Sequence, residues 1–426
     1  MRTIDPGGRT AAPERGPDAR DIDLVLVGAT GFTGGLVADD LAARLVGMGL
    51  RWALAGRSRE RLEAVAARLE SAGGVVPELR VVDAHDDAAL AALARSTRVV
   101  ATTVGPYAQH GVPLARACAE AGTHYADITG EPAFVARLRR ELDDVARASG
   151  ARLVTCCGFD SVPHDLGARF AAAALPQGGP IELAGYVQAR GGMSGGTAAS
   201  ALGAIAGGGP RGRRGRPAPR KGSRNGARSG TRSASTAVRE ATALPIGIHR
   251  VAALGGWGLP LPTIDAAIVL ESARRLEGYG SAFRYGHYAL VRRRRTVALA
   301  TAGLGLALAA VRLAPTRAVL ARLLPSPGEG PDAEARERGR FRVTFLGRAG
   351  DVRVTARVSG GDPGYGETSR MLAEAALTLA SGEAPEVAGV VTPSVGLGEP
   401  YRRRLEARGM RFELLEGPEA GEGRGA

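Results

Sequence analysis

Two rhythms of apolar and polar positions alternate along the first 165 residues. Ile22-Asp23-Leu24-Val25-Leu26-Val27 is an almost continuous apolar run of strand length that breaks at Gly28. Leu36, Val37, Leu41 and Leu45 then recur at helical spacing. Trp52 to Ala55 predicts a second strand, and Leu62, Val65, Ala66 and Leu69 one face of a second helix. Leu79 to Asp83 predicts a third strand, with Asp86 or Asp87 capping a helix that carries Leu90 and Leu93. Arg98 to Val104 predicts a fourth strand, after which Pro113 and Gly122 bracket a helix at its start and end. His124 to Asp127 and Arg152 to Cys157 add two more strands, separated by a helix from Pro132. Strands alternating with helices build a parallel, doubly wound sheet, and ligands bind such sheets at the carboxyl ends of the strands.

The first strand-to-helix turn gives that crevice its chemistry. Gly28-Ala29-Thr30-Gly31-Phe32-Thr33-Gly34 places glycines three residues apart between a strand and a helix. Gly28 lets the chain leave the strand, Gly31 lets backbone approach a pyrophosphate, and Gly34 lets the helix pack closely on the sheet. The free N–H groups at the helix start face the phosphates. The context predicts a Rossmann-type dinucleotide site. A free ribose 2′-hydroxyl wants an acid after the second strand, yet the chain has Gly56-Arg57-Ser58. A guanidinium and a hydroxyl suit a 2′-phosphate, so NADP(H) is favoured over NAD; otherwise Arg57 only decorates a solvated helix start. Asp83, Val104, Gly105 and the segment after Cys157 are expected to line the same crevice.

Beyond residue 165 the pattern changes. Phe341, Val343 and Phe345 alternate, as do Val352, Val354, Ala356 and Val358, which predicts an antiparallel hairpin joined by Gly347 to Asp351. A helix from Glu367 to Ser381 carries Met371, Leu372, Ala375 and Leu379 on one face. Gly191 to Thr197 reads either as a substrate-facing loop or as a plain turn. Arg292 to Arg295 precede sixteen uncharged residues, Thr296 to Val311, and Arg312, Arg317 and Arg322 follow. As a helix this run is ~24 Å long, short of a hydrocarbon core of ~30 Å. It either lies on a membrane surface with its arginines on lipid phosphates, or is buried in the core or at a dimer contact.

Several motifs together resemble the saccharopine dehydrogenase-like oxidoreductases, and within them the trans-acting enoyl reductase branch of actinobacteria. They are Val27 to Gly34, Ala55-Gly56-Arg57, Val104-Gly105-Pro106-Tyr107, Tyr125 to Glu131 and Gly158 to Asp165. Phe283 to Tyr288 and Gly361 to Tyr365 extend the resemblance, which runs from about residue 22 to about residue 412. It implies an NADPH-dependent reductase of a carbon–carbon double bond in an acyl or polyketide lipid. It also implies intermediates made by separate synthases, with a glycolipid as end product. The broader family name suggests an imine or ketone reductase of amino-acid metabolism instead. A non-catalytic NADP-binding membrane scaffold is the third reading.

Composition narrows the chemistry. Cys118, Cys156 and Cys157 form no metal or disulfide spacing, which fits a reducing cytosol; no metal is expected. The net charge of +13 invites a nucleic-acid reading, but residues 211–239 hold nine arginines and Lys221 with no acid, so only +3 remains elsewhere. That segment departs from the family pattern and is rich in Gly, Ser and Pro, the composition of a disordered, solvated loop. It has no specific nucleic-acid signature, although weak phosphate contacts with RNA or anionic lipid are open to it. Lys221 is the chain's only lysine, which excludes Schiff-base chemistry and a Tyr-x-x-x-Lys relay. The proton donor must be another group or water. Tyr107 either donates from its phenol or packs on the nicotinamide. His164 either transfers the proton, oriented by Asp160 and Asp165, or sits in a helix start that Asp160 and Ser161 cap.

The expected organisation is α/β: a Rossmann-type doubly wound parallel sheet with a second α+β substrate domain. Residues 1–20 are a disordered tail without a secretory core, and 21–165 form the NADP-binding domain. Residues 166–365 form the substrate domain, interrupted by the basic insert at 210–239 and the apolar helix at 296–311. Residues 366–426 are a helix and tail that pack back on the core. The protein is expected in the cytoplasm, peripheral on the inner face of the plasma membrane if the apolar helix meets lipid, and as a homodimer if that helix meets a second copy.

Overall fold

Apolar runs, buried on both faces in the central strands, form the first of two sheets. The computed structural model describes residues 20–190, 239–297, 299, 303 and 330–420. Strands β1 (Ile22–Val27), β2 (Trp52–Gly56), β3 (Glu78–Val81), β4 (Thr97–Thr102), β5 (His124–Asp127) and β6 (Arg152–Val154) are joined by a late strand, β14 (Gly389–Val391). Their order is β14-β6-β5-β4-β1-β2-β3, and every neighbouring pair is parallel. All six residues of β1 are buried, as a central strand covered on both faces requires. Its one acid, Asp23, accepts from Arg51 N at 2.9 Å and pairs with Arg98 at 3.2 Å. Helices α1 (Phe32–Arg44), α2 (Arg59–Ser71), α3 (Asp87–Ser96), α4 (Tyr107–Ala121) and α5 (Pro132–Ser149) connect the strands.

The second sheet is mixed. It holds β7 (Ile181–Arg190), β8 (Glu240–Ala243), β9 (His249–Val251), β10 (Gly256–Pro260), β11 (Ala282–Val291), β12 (Arg340–Ala349), β13 (Val352–Gly360) and β15 (Arg411–Ala420). The order is β15-β13-β12-β7-β11-β10-β9, with β8 also paired to β11. One face is the core face: Ile181, Leu183, Phe283, Tyr285, Phe341, Val343 and Phe345 are all buried. Helices α6 (Val162–Ala173) and α7 (Asp265–Arg275) pack against the sheet. Gly167 admits this packing, because a Cβ there would lie 2.5 Å from the Phe345 ring. On the opposite face Tyr186, Val251 and Tyr288 form a small cluster beside an apolar hollow of about 350 Å³. Helix α8 (Gly366–Ala380) returns the chain to the first sheet, against α1, β1, β4 and β5. Its buried Glu374 is paired with Arg44 at 3.0 Å and Arg404 at 3.4 Å.

Several local expectations need correction. Pro113 does not begin a helix; it lies inside α4, which starts at Tyr107 because a carboxylate from elsewhere satisfies its first turn. The sixth strand stops at Val154 rather than Cys157, since Cys156 adopts φ 65°, a left-handed conformation that ends strand pairing. The fourth stops at Thr102, whose hydroxyl accepts Val104 N at 3.2 Å and turns the chain. The third ends at Val81 rather than Asp83, where the Asp83 carboxylate accepts His85 N at 2.9 Å and starts a turn. The hairpin loop is only Gly350-Asp351, tighter than expected, with Gly350 at φ 59°. Arg239, counted with the basic insert, is clamped to the end of α7: it donates to Ala273 O at 2.7 Å, Gly280 O at 2.6 Å and Leu276 O. The N-terminal tail, the rest of that insert, Gly191 to Thr197 and nearly all of the apolar run at 296–311 lie outside the described residues. Among the described residues no helix is long and apolar enough to cross a membrane.

Candidate active site

The glycine turn has one tight side and one open side. Gly28 sits at φ 96°, and a Cβ there would lie 2.8 Å from Thr103 Oγ1 and 2.9 Å from Val104. A Cβ on Gly34 would collide with the Gly28 carbonyl oxygen, so this glycine sets the distance between α1 and β1. Gly31 is different: only the Gly28 oxygen, at 3.5 Å, comes within 4 Å of its would-be Cβ. Gly31 is also the N-cap of α1, with no side-chain cap and no acid in the first turn. The N–H groups of Phe32, Thr33 and Gly34 therefore stand at a helix start beside open space, which fits a pyrophosphate. Ala29 is buried and Thr30 exposed. The Phe32 ring points away to the second-sheet segment, edge-on to Tyr365 at 4.8 Å and under Arg336 at 5.6 Å.

Arg57 is exposed at the end of β2, and Gly28 N donates to Ala55 O at 3.1 Å, so this strand end borders the turn. Ser58 caps α2 by accepting Arg61 N at 3.3 Å. Asp83 is exposed after β3, where Val82 N donates to Gly56 O at 2.9 Å. Val104 and Gly105 follow β4 beside the turn. The residues gathered here suit a dinucleotide carrying a 2′-phosphate.

The next strand ends are held by two carboxylates, Asp127 buried and Glu131 half-buried. Glu131 accepts Tyr107 N and Ala108 N, each at 2.9 Å, filling the N-terminus of α4. The Tyr107 phenol donates to Thr102 O at 3.0 Å and is buried, with its ring 5.6 Å from Phe134. Burial, and then Asp127, push that phenol well above its ordinary range. Asp127 accepts Thr129 N at 3.0 Å and Cys156 N at 2.9 Å; burial pushes its carboxyl up to about 6. Its bond to Cys156 N fixes the strained left-handed residue at the cleft edge.

His164 lies in the first turn of α6 and belongs to a cluster that spans three elements. His164 Nε2 is 3.8 Å from Asp265 Oδ1, and His287 Nε2 is 3.3 Å from Asp265 Oδ2. The two imidazoles meet edge-to-face at 4.6 Å. Thr263 Oγ1 donates to Asp265, and Tyr285 Oη lies 3.4 Å from His287 Nδ1. All three ionisable side chains are only 2–3% exposed. Burial pushes His164 down to about 3. Burial also works against charge on Asp265, but His164, His287 and Thr263 outweigh it and hold the carboxyl below its usual value. Asp160 is half-buried where the loop after β6 meets Gly130, and burial and Asp265 raise its carboxyl to about 7. Phe159 covers His164, its ring 5.7 Å from the imidazole and 5.0 Å from Phe341. Asp165 turns elsewhere, accepting Ser394 N at 2.8 Å.

Asp160 and His164 thus share one neighbourhood, while Tyr107 is anchored in the fold. Ser161 precedes α6 but makes no side-chain cap. Sequence reasoning assigned no role to Asp265, His287 or Glu131. His287 stood in the quoted run Phe283 to Tyr288, where period-2 alternation puts Phe283, Tyr285 and His287 on one face. Asp265 carried no comparable signal.

Residues 24–155 match the family model of the saccharopine dehydrogenase NADP-binding domain. A Mycobacterium tuberculosis protein named as a trans-acting enoyl reductase is 38% identical, covering 92% of this chain and 97% of its own. The trans-acting enoyl reductases of Mycobacterium ulcerans and Mycobacterium bovis are 33% and 32% identical, each over 92% of this chain and 97% and 98% of their own. Among solved structures, apo saccharopine dehydrogenase (L-Glu forming) from Saccharomyces cerevisiae aligns with a TM-score of 0.49 at 12% identity, covering 92% of this chain and 99% of that one. The chain belongs to the trans-acting enoyl reductase family and carries a saccharopine dehydrogenase-type NADP-binding domain.

Proposed function

We propose that this protein is an NADPH-dependent enoyl reductase that acts in trans on an acyl or polyketide chain built by a separate synthase. The observation that carries the reading is the set of strand ends: an open helix N-terminus after β1, Arg57 after β2, and the half-buried Asp160 carboxyl after β6. Bound NADPH supplies the hydride. Gly31 and the N–H groups of Phe32, Thr33 and Gly34 would hold its pyrophosphate, and Arg57 with Ser58 its 2′-phosphate. Val104 and Gly105 would border the nicotinamide end. Asp160, whose carboxyl is raised, would give the second hydrogen as a proton, with His164 four residues on in the first turn of α6.

An amino-acid imine or ketone would bring carboxylates that need fixed cations. Phe159 beside the neutral Asp160 carboxyl offers a carboxylate no ion pair and suits an apolar chain. Membrane association and a glycolipid product belong to the same reading. Their support is the uncharged run at 296–311 between arginines, which would bring the enzyme to the inner face of the plasma membrane as a peripheral protein.

The test is NADPH oxidation by the purified chain with a long-chain α,β-unsaturated acyl thioester, followed by mass spectrometry. The expected product has gained two hydrogens. Tight NADPH binding with no oxidation on any unsaturated acyl thioester overturns the reading and leaves the non-catalytic scaffold.

A further inference from the structure

We propose that His164, Asp265 and His287 form a buried site for a divalent transition-metal ion of the zinc class, which staples the start of α6 to the second sheet. The inference goes beyond the enoyl reductase reading and does not depend on it. The three side chains come from the first turn of α6, the first turn of α7 and the middle of β11. One ligand atom from each, two imidazole nitrogens and a carboxylate oxygen, lies within 4.8 Å of the others. The Asp265 carboxylate turns one oxygen to each ring: Oδ1 is 3.8 Å from His164 Nε2, and Oδ2 is 3.3 Å from His287 Nε2. Donors about 2.1 Å from a tetrahedral ion stand about 3.4 Å apart, so these spacings suit an ion between the groups.

A second observation points the same way. His164 Nδ1 and Asp265 Oδ1 are buried and have no hydrogen-bond partner among the described residues. At 3.8 Å His164 Nε2 is too far from Oδ1 to bond to it directly. Polar atoms left unpaired at 2–3% exposure are costly, and one ion would engage both the Asp265 oxygen and His164 Nε2. Burial disfavours the charged form of both rings, which leaves each Nε2 a lone pair to donate. Two neighbours support the ligands. Tyr285 Oη lies 3.4 Å from His287 Nδ1 and holds the ring with Nε2 toward Asp265, while Thr263 Oγ1 donates to Asp265 Oδ2.

The donor set selects the ion. Two imidazoles and a carboxylate suit Zn²⁺ or Fe²⁺, whereas Mg²⁺ and Ca²⁺ take oxygen ligands. Counting both Asp265 oxygens gives four protein donors, the number a closed structural site requires. The site is closed: its side chains are 2–3% exposed, and the Phe159 ring lies 5.7 Å from the His164 imidazole. An ion held here is therefore structural, fixing the start of α6 and with it the loop that carries Phe159 and Asp160. The expectation of no metal rested on cysteine spacing. These donors are histidine and aspartate, which the fold brings together from 101 and 123 residues beyond His164.

The test uses the full-length chain, purified without a histidine tag from zinc-supplemented cells and dialysed against a weak chelator. Elemental mass spectrometry should find about one zinc or iron ion per chain, and Asp265→Asn and His287→Gln should each lower that about tenfold or more. His85→Gln should leave it unchanged, since the surface pair His85 and His110, with rings 5.2 Å apart, is where an adventitious ion would sit. After stripping with a strong chelator, Zn²⁺ should raise the Tm of the wild type and of neither cluster variant. If those variants do not fold, Co²⁺ added to the stripped wild type gives the readout: visible d–d bands of a four-coordinate site, displaced by Zn²⁺. A wild-type chain with no metal, no zinc-dependent Tm and no cobalt bands overturns the site. So does metal that survives both cluster variants, which would be an adventitious ion only. None of these readouts uses NADPH or a substrate, so the reductase reading can fail while the site stands, and the reverse.

Discussion

The two halves of the cleft hold their polar groups in opposite ways. On the first sheet the working surface is backbone: glycines, the bare start of α1, and Arg57 standing in solvent. On the second it is side chain: two histidines and an aspartate packed to 2–3% exposure among Phe159, Phe341 and Tyr285. An open backbone cradle recognises a phosphate chain that arrives with its own charge. A closed cluster fixes protonation states, because burial makes each charge depend on its neighbours. Under the proposed function the difference is a division of labour, binding on one side and proton management on the other.

The sharpest way to break the comparison is at the glycines. Gly34→Ala places a methyl on the Gly28 carbonyl oxygen, which no side-chain movement can relieve. It should force α1 off the sheet, costing about 3 kcal/mol or more and abolishing NADPH binding. Gly31→Ala has space around it and should fold with nearly unchanged Tm, yet lose NADPH affinity about tenfold or more because its methyl meets the pyrophosphate. Calorimetry with NADPH fluorescence titration separates the two. Equal losses of stability for both variants would show that the open side of the turn is not open.

Protonation in the closed cluster gives the next effect. His164 is held near 3, against 6.5 in the unfolded chain, so between those values only the unfolded state takes up its proton. Stability from this site is therefore present above pH 6.5 and is lost as pH falls toward 3, at about 1.4 kcal/mol per unit. Asp160, raised to about 7, acts in the opposite sense: the folded state holds its proton, and stability falls as pH rises from 3.8 through 7. His164→Gln removes only the first effect. Urea unfolding should show the cost of that substitution shrinking by about 1–2 kcal/mol between about pH 7 and about pH 5. A cost that does not vary with pH means His164 is not held neutral.

Glu131 tests whether the cleft edge is a structural brace. Its carboxylate satisfies the N–H groups of Tyr107 and Ala108, so Glu131→Ala leaves the first turn of α4 without its two acceptors. A loss of about 1.5–3 kcal/mol is expected by chemical denaturation, with Glu131→Gln recovering part of it. Full stability in Glu131→Ala would mean solvent serves those groups equally well.

These contrasts also explain what was legible in the sequence. The parallel sheet could be read because each strand announces itself locally, as Ile22 to Val27 does before Gly28. The strand ends could not, since Cys156 turns left-handed under the hold of Asp127, 29 residues away. His164 was visible as a titratable group after a strand. Its partners lie 101 and 123 residues further on, in elements whose pairing depends on the whole second sheet. Only a three-dimensional contact, 3.3 Å between His287 and Asp265, makes them one object.

The smallest expected effect sharpens the open side of the comparison. Arg57 is exposed, so it is free to meet a ligand, and its guanidinium offers a planar fork to a 2′-phosphate. Ser58 keeps α2 capped through Arg61 N, which holds the strand end in place whether or not Arg57 is present. Arg57→Ala should therefore leave Tm unchanged, because an exposed side chain outside any buried network contributes little to stability. Charge-assisted hydrogen bonds to the phosphate are worth about 1.5–3 kcal/mol net, so NADPH affinity should fall about tenfold or more. NADH lacks the 2′-phosphate and should bind the variant and the wild type alike. Arg57→Lys separates charge from geometry: a point charge restores part of the affinity, and the remaining deficit measures the fork. If NADPH and NADH weaken equally in Arg57→Ala, the residue shapes the strand end rather than reading the phosphate, and cofactor choice rests elsewhere on this edge.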